Sequence, residues 1–372
     1  MKRIRSIDGF RTIAVLGVLW AHVWMFMGAP SFVLLHVDIA KIISFFGTGV
    51  DLFFVISGFC MYLMYVSRST DLTAVSYFSY LKKRWLRIAP AYYFAVLIYA
   101  LVACNFSLNF FDSGELIKRW LFIKTFFKGT VYGPHFWSLC TEWHFYIFLP
   151  LIVFLISKAG MRWSIVIIVS SCLLYRSIAW RANDDPFNFI NYSITNRLIE
   201  FVMGIICAWL YMKKIRRWYL SGIIGLLAGV VIAFTGRWLM TDSLVNHTGW
   251  IGWGARIINL PLLSLGYALV ILNVLNRGSL FKRLLESKLF QRIGKYSYSM
   301  YLWHWIFAET ISVYLLKAGY FKGFLGVNII FIITCLIIYP VSYLSYRIFE
   351  SFYFKNRTKA RLSPERVVDP NL

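Results

Sequence analysis

Ten apolar stretches of roughly 17–25 residues, separated by shorter polar connections, set the pattern of this 372-residue chain. A transmembrane helix needs about 20 predominantly apolar residues, so each stretch predicts one membrane-spanning α-helix. We therefore expect an all-α polytopic membrane protein with about ten transmembrane helices. The predicted spans are, approximately, 8–27, 42–66, 88–104, 137–157, 162–180, 195–212, 218–236, 255–275, 296–316 and 325–349.

The composition agrees with this pattern. The chain is 59% hydrophobic and has a mean hydropathy of +0.65, whereas soluble domains are about 45–50% apolar. Its six cysteines are scattered singly, mostly within the predicted spans. They show no CxxC or other metal-ligand spacing, so neither a disulfide framework nor a metal site is predicted.

The net charge of +23 is large enough to raise the question of nucleic acid binding. The positive residues, however, lie between the apolar spans. With a cytoplasmic N-terminus, about two thirds of the 39 lysines and arginines fall on the cytoplasmic side. This bias predicts that both termini are cytoplasmic, and it accounts for most of the charge without an acidic partner.

The connections indicate a single domain. No polar stretch approaches 50 residues, so residues 1–354 are predicted to form the membrane domain and residues 355–372 a short cytoplasmic tail. The basic start and first apolar run are interpreted as a retained span rather than a signal peptide. In the long connection 105–136, the run WLFIKTFF predicts an amphipathic piece at the membrane surface or a re-entrant segment, and 276–295 predicts an interfacial helix. Gly225 and Gly229 indicate a helix-packing notch.

The first span is interrupted by two polar residues, Arg11 and His22. Eleven residues at 100° each return to within about 20° of the starting direction, so both side chains share one helix face, about 16 Å apart. Ionisable residues inside a membrane span usually indicate function. The alternative is a snorkelling arginine together with an interfacial or helix-bonding histidine.

A second polar cluster precedes the third span. Arg84 and Arg87 are three residues apart and point the same way on a helix. Two guanidiniums at the cytoplasmic surface form a good bidentate site for phosphates. Simple positive-inside anchoring explains the cluster equally well. Pro90 predicts a helix break or a helix start.

A third cluster opens the fourth span. Ser138, Glu142 and Tyr146 lie near one helix face, and Trp137 directly precedes them. A carboxylate several residues inside an apolar segment needs a partner or a function. Glu142 is expected either to accept hydrogen bonds from a hydroxyl-rich ligand or to pair with a buried arginine, Arg11 or Arg197.

Four further residues form a weaker set of candidates. Asp51 and Ser57 lie in the second span, where Ser57-Gly58 favours close helix packing over chemistry. Tyr301 and His304 are three apart and share a face of the ninth span. For His304, a structural role is preferred to a functional one.

Together these segments resemble the acyltransferase-3 family of integral membrane O-acyltransferases. The resemblance rests on six segments in the same order along nearly the whole chain: Ile7–Val15 through His22, Gly49–Phe59, Lys83–Pro90, Trp137–Glu142, Gly294–His304 and Tyr346–Glu350. Arg11 and His22 match the family pattern of a basic residue, ten intervening residues and a histidine. Arg84 and Arg87 match its RxxR pattern, and Trp137 to Glu142 match Trp-Ser-Leu-x-x-Glu.

The resemblance implies a ten-helix acyltransferase of the bacterial inner membrane, with acetyl-CoA as the donor and no metal. Many relatives modify sugars of lipopolysaccharide O-antigen, capsule, exopolysaccharide or peptidoglycan. The implied partners are acyl-CoA, a lipid-linked or nascent glycan and membrane lipids. Some relatives carry an additional SGNH-type esterase domain, and this chain is expected to lack one.

Acyl transfer to a hydroxyl needs a base, and His22 is the leading candidate, either as that base or as an acyl carrier. Arg84 and Arg87 would hold the CoA phosphates, with Arg11 between them and the thioester. Glu142, entering from the outer side, would orient the acceptor sugar, on whose ring Trp137 and Tyr146 would stack. The competing hypothesis is a transporter or flippase of a lipid-linked glycan, because intramembrane Arg, His and Glu also suit a transport path.

Overall fold

The computed structural model describes residues 4–66, 74–104, 113–127, 133–182, 192–213, 222–240, 249–276 and 280–352. These ranges are mostly helical, with one two-stranded antiparallel ladder in which Val33 pairs with Asp38. The elements are α1 (Arg5–Phe26), β1 (Val33–Leu34), β2 (Val37–Asp38), α2 (Ile39–Ser44), α3 (Gly49–Val66), α4 (Ala74–Ala103), α5 (Ser113–Trp120), α6 (Trp137–Ala182), α7 (Ile194–Met212), α8 (Ile223–Trp238), α9 (Trp250–Asn276), α10 (Leu280–Leu285), α11 (Lys288–Lys317) and α12 (Gly323–Ser345). A π-helical turn, Tyr346–Glu350, continues α12.

The helical class is confirmed, and in the described residues seven helices are long and apolar enough to cross a membrane. The prediction of ten spans is therefore met only in part. Predicted spans four and five lie in the single element α6, which is interrupted at Gly160, where φ is 74°. The seventh falls on the shorter helix α8, and the ninth on α11, which carries several charges.

Two local predictions were wrong, and a third is not decided by the local structure. Pro90 neither breaks nor starts a helix, because α4 runs through it. The run WLFIKTFF begins with Trp120, the last residue of α5, and contains a short 3₁₀ turn, Lys124–Phe126, with Lys124 buried; its placement at the membrane surface stays a prediction. The connection 276–295 contains α10 and the start of α11 instead of one interfacial helix, with Ser287 capping α11. The predicted tail 355–372 lies outside the described residues.

Helix α1 is packed at backbone distance between two neighbours. An added Cβ at Gly49 of α3 would lie 2.2 Å from the carbonyl oxygen of Ala14, and one at Gly294 of α11 would lie 2.0 Å from that of Asp8. Contacts this short leave no room for a side chain, so glycine is required at both positions. The close packing fixes the orientation of α1 and of its polar side chains.

The close approach predicted for Ser57-Gly58 is confirmed. A Cβ at Gly58 would lie 2.0 Å from the carbonyl oxygen of Phe201, and one at Gly204 would lie 2.0 Å from that of Val55, so α3 and α7 pack through reciprocal glycines. Gly229 similarly faces α9, where a Cβ would lie 3.1 Å from the carbonyl oxygen of Gly266. Small residues allow membrane helices to approach closely, and this packing holds the walls of the site in place.

Candidate functional site

Two cavities lie in succession along α1. The first, which we call the arginine cavity, has a volume of about 490 Å³ and is lined by Arg11, Arg84 and Arg87 among others. The second, the histidine cavity, has a volume of about 680 Å³, and its lining includes His22 and His135. Val50 and Tyr301 line both cavities. The same helix therefore places Arg11 in one cavity and His22, about 16 Å further along, in the other.

In the arginine cavity, Arg11 donates to Asp8 Oδ1 at 3.0 Å and lies 3.8 Å from the sulfur of Cys60. The Arg84 side chain is buried, contacts the sulfur of Met64 and lies over the rings of Tyr80 and Tyr146.

Among the described residues, this cavity is lined by both signs of charge. The cations are Arg11, Arg84, Arg87 and Lys295, and the carboxylates are Asp8, Glu142 and Glu350. The predicted pair Arg84 and Arg87 thus lies in the same cavity as Arg11.

Glu142 also lies in the arginine cavity, where its Oε1 accepts hydrogen bonds from Ser57 Oγ at 2.7 Å and from the hydroxyl of Tyr146. We predicted Trp137, Ser138, Glu142 and Tyr146 as residues that bind the acceptor. The structure separates them, because Trp137 lines the histidine cavity and the other three line the arginine cavity. Glu142 thus lies in the same cavity as Arg11 and Arg84, and its role toward the acceptor stays a prediction.

His22, which lines the histidine cavity, is paired with the buried imidazole of His304. Nδ1 of His22 lies 2.9 Å from Nε2 of His304, and Nδ1 of His304 lies 2.6 Å from the carbonyl oxygen of Tyr301. The His304 side chain is 1% exposed. The ring of Trp305 packs edge-on against His22, with centroids 4.8 Å apart. His304, for which a structural role was preferred, is thus the hydrogen-bonding partner of His22.

Sequence reasoning missed a third histidine in this cluster. The ring of His135 lies 4.8 Å from that of His304, and its Nε2 lies 3.3 Å from the carbonyl oxygen of Leu302. His135 is buried and lines the histidine cavity. The only sequence signal was its position two residues before Trp137, in a connection where a histidine is ordinarily solvated. In the described part of the chain, no three His, Cys, Asp or Glu side chains are arranged to hold a metal ion.

Tyr301 lies where the two cavities meet, because it lines both of them. Its hydroxyl lies 2.6 Å from Ser138 Oγ and donates to the carbonyl oxygen of His135 at 2.8 Å. Ser138 Oγ lies 3.2 Å from the same carbonyl oxygen, and its single proton can be donated either to that carbonyl or to Tyr301. These bonds hold the Tyr301 ring between α6 and α11, at the place where Tyr301 and Val50 line both cavities.

A buried ion network contributes Asp51 and Arg197 to the lining of the histidine cavity. Nη1 of Arg197 donates to Asp51 Oδ1 at 2.7 Å and to Glu200 Oε1 at 2.9 Å, and its guanidinium lies 4.9 Å from the ring centroid of Trp137. Arg197 thus pairs with Asp51 instead of Glu142. Sequence reasoning overlooked Glu200. The signal was a carboxylate inside an apolar helix, three residues beyond Arg197.

Comparison with known proteins identifies the family to which the sequence is similar. The model of the acyltransferase-3 family, described as an acyltransferase domain, matches residues 4–347. The O-acetyltransferase OatA of Staphylococcus aureus strain NCTC 8325 is 27% identical over 387 aligned residues, which cover 95% of this chain and 58% of OatA. A relative in S. aureus strain COL, named provisionally as an O-acetyltransferase, is 26% identical over 398 residues, covering 97% of this chain and 59% of the relative.

The chain thus spans less than two thirds of the length of these relatives. No solved structure matches it. The family match extends from the residue before α1 into the π-helical turn, and so contains the described residues that line the two cavities, except Glu350. The chain belongs to the acyltransferase-3 family.

Proposed function

We propose that the protein is a membrane O-acetyltransferase, which moves an acetyl group from cytoplasmic acetyl-CoA to a hydroxyl of a cell-surface glycan. The observation that carries this proposal is the arrangement along α1, where Arg11 and His22 lie in adjacent cavities that meet at Tyr301. Membership of the family and the likeness to OatA, named an O-acetyltransferase, support the reaction class.

The donor would bind in the arginine cavity. Phosphates of acyl-CoA are bound well by guanidiniums, and Arg84 and Arg87 supply two of them, with Lys295 as a further cation. This set of residues fits an anionic donor. Acyl-CoA supplies the acyl group as an activated thioester. Because the basic start of the chain precedes α1, the distribution of positive charge favours a cytoplasmic location for this cavity.

The acceptor would bind in the histidine cavity. Trp24, Trp137, Tyr192 and Trp305 are among its lining residues, and aromatic rings of this kind can pack against the apolar face of a sugar. Glu142 lies in the other cavity, so we assign it to the donor side: its charge would balance the guanidinium of Arg11 and limit how tightly the phosphates bind.

In the reaction, His22 would take the proton of the acceptor hydroxyl as that oxygen attacks the carbonyl carbon of the thioester. A carbon–oxygen bond forms, the carbon–sulfur bond breaks, and the proton held by His22 passes to the leaving sulfur. The products are a glycan ester and free CoA thiol, so atoms and charge balance. A variant of this route, in which His22 carries the acyl group itself, gives the same products.

The test is release of CoA thiol by the purified protein in lipid nanodiscs, given acetyl-CoA and a glycan acceptor. Wild-type protein should release thiol and form acetyl ester in equal amounts, and His22→Ala should form neither. His36→Ala is the matched control, because His36 lies in the exposed turn between β1 and β2. Ester formation by His22→Ala at the wild-type rate would contradict the proposal.

Transport of a lipid-linked glycan is the second candidate. Two polar cavities in series along one helix are also what a transport path would contain. The thiol assay separates the two, because a transporter moves the glycan between the faces of the membrane without cleaving acetyl-CoA.

A further inference from the structure

The imidazole pair has a defined direction of hydrogen bonding. A backbone carbonyl has no proton to give, so Nδ1 of His304, 2.6 Å from the carbonyl oxygen of Tyr301, must be the donor of that bond. In a neutral ring only one nitrogen carries the proton, and Nε2 of His304 is therefore an acceptor. Its partner, Nδ1 of His22 at 2.9 Å, must then be the donor.

This reasoning requires that His304 is neutral, and the surroundings favour that state. His304 is 1% exposed, and in the described part of the chain neither its ring nor that of His22 lies in contact with a carboxylate. A buried imidazolium without a counter-ion is costly.

From this geometry we infer that His304 is a positioning residue that holds His22 in the Nδ1–H tautomer, so that the lone pair of His22 lies on Nε2. This inference rests on the proposed function only for its consequence, which is that Nε2 is the atom that takes the acceptor proton. When it does, the positive charge that forms on His22 is stabilised by its Nδ1–H bond to His304, and His304 in turn is held by the Tyr301 carbonyl.

The arrangement resembles the role of a third residue that orients a catalytic histidine, with a neutral imidazole in place of a carboxylate. Such a partner acts by fixing which nitrogen is free and how the ring is turned. His304 is suited to this because α11 is held against α1 at backbone distance near Gly294. The pair is thus fixed by the same packing that places His22.

The direct test is the ¹⁵N NMR spectrum of ring-labelled histidine in the protein in nanodiscs, at a pH where the imidazoles are neutral. Protonated and unprotonated ring nitrogens have well-separated shifts, and His22 is assigned by comparison with His22→Gln. We expect His22 to carry its proton on Nδ1 in the wild type and to change to Nε2–H in His304→Leu. His304→Gln, whose side-chain oxygen can accept from His22, should keep Nδ1–H. Nε2–H in the wild type would overturn the inference.

Kinetics give the second readout. His304→Leu should lower kcat by about 100-fold or more, as loss of an oriented base does, with little change in KM for acetyl-CoA, and His304→Gln should recover most of that loss. Equal losses in both variants, with the His22 tautomer unchanged, would reduce His304 to a packing residue and overturn the inference. If His304→Leu fails to fold, the wild-type spectrum and His304→Gln decide the matter.

The two proposals fail separately. A wild-type protein that transfers no acetyl group but holds His22 as Nδ1–H contradicts the proposed function and supports the tautomer. A protein that transfers acetyl groups with His22 as Nε2–H supports the proposed function and contradicts the tautomer.

Discussion

Replacement of Arg197 by leucine should destabilise the protein severely, because two carboxylates depend on that guanidinium. Arg197 donates to Asp51 at 2.7 Å and to Glu200 at 2.9 Å, and all three side chains are buried. Leucine fills part of the volume but leaves both carboxylates in an apolar setting without this donor.

The expected cost follows from two independent estimates. Hydrogen bonds to charged groups contribute about 1.5–3 kcal/mol each, which gives about 3–6 kcal/mol for the two bonds. Removing one partner of a buried ion pair costs about 3–5 kcal/mol. The free energy of unfolding should therefore fall by about 4 kcal/mol, roughly a thousandfold in the folding equilibrium constant.

The assay is reversible unfolding in mixed micelles, by titration with sodium dodecyl sulfate and measurement of helicity. Arg162→Leu, at an exposed position of α6, is the matched control and should change the free energy by less than about 0.5 kcal/mol. Adding Asp51→Asn to Arg197→Leu should restore part of the loss, since it removes one buried charge. A cost below about 1 kcal/mol for Arg197→Leu would refute the reasoning.

Three further predictions concern the two cavities and their walls. Glu142→Gln should lower KM for acetyl-CoA without changing KM for the glycan, because it removes a negative charge near Arg11. Steady-state kinetics that show a changed KM for the glycan and an unchanged KM for acetyl-CoA would instead assign Glu142 to the acceptor. Arg84→Gln with Arg87→Gln should weaken acetyl-CoA binding at least tenfold by isothermal titration, less so at high salt; unchanged binding would leave the pair as membrane anchors. Gly58→Val should abolish folding, measured as loss of monodisperse protein in detergent, because its Cβ would meet the Phe201 carbonyl oxygen at 2.0 Å; a well-folded variant would contradict the packing described for α3 and α7.

The parts of the structure that local periodicity determines were predictable. The apolar runs lie on helices, and the 11-residue spacing of Arg11 and His22 correctly placed both along α1. Ser57-Gly58 indicated close helix packing, because a glycine lets another helix approach simply by having no side chain. Each of these inferences needs no knowledge of which helices are neighbours.

The parts that depend on tertiary neighbours were not predictable in the same way. Which of the two cavities Glu142 lines depends on how α6 is turned against α3, which brings Ser57 to it across 85 residues of sequence. The partner of Asp51 lies 146 residues away. His135 lies in a 3₁₀ turn, whose burial follows from helices packed around it and not from its own sequence.

The central claim, that donor and acceptor are bound on opposite sides of Tyr301, is tested most directly by sided transfer in proteoliposomes with the protein in one orientation. Acetyl-CoA is supplied only on the face that carries the N-terminus, and a glycan acceptor only on the other face. The account predicts acetylation of the glycan in this arrangement, and none when acetyl-CoA is moved to the acceptor's face. Equal acetylation in both arrangements would contradict it.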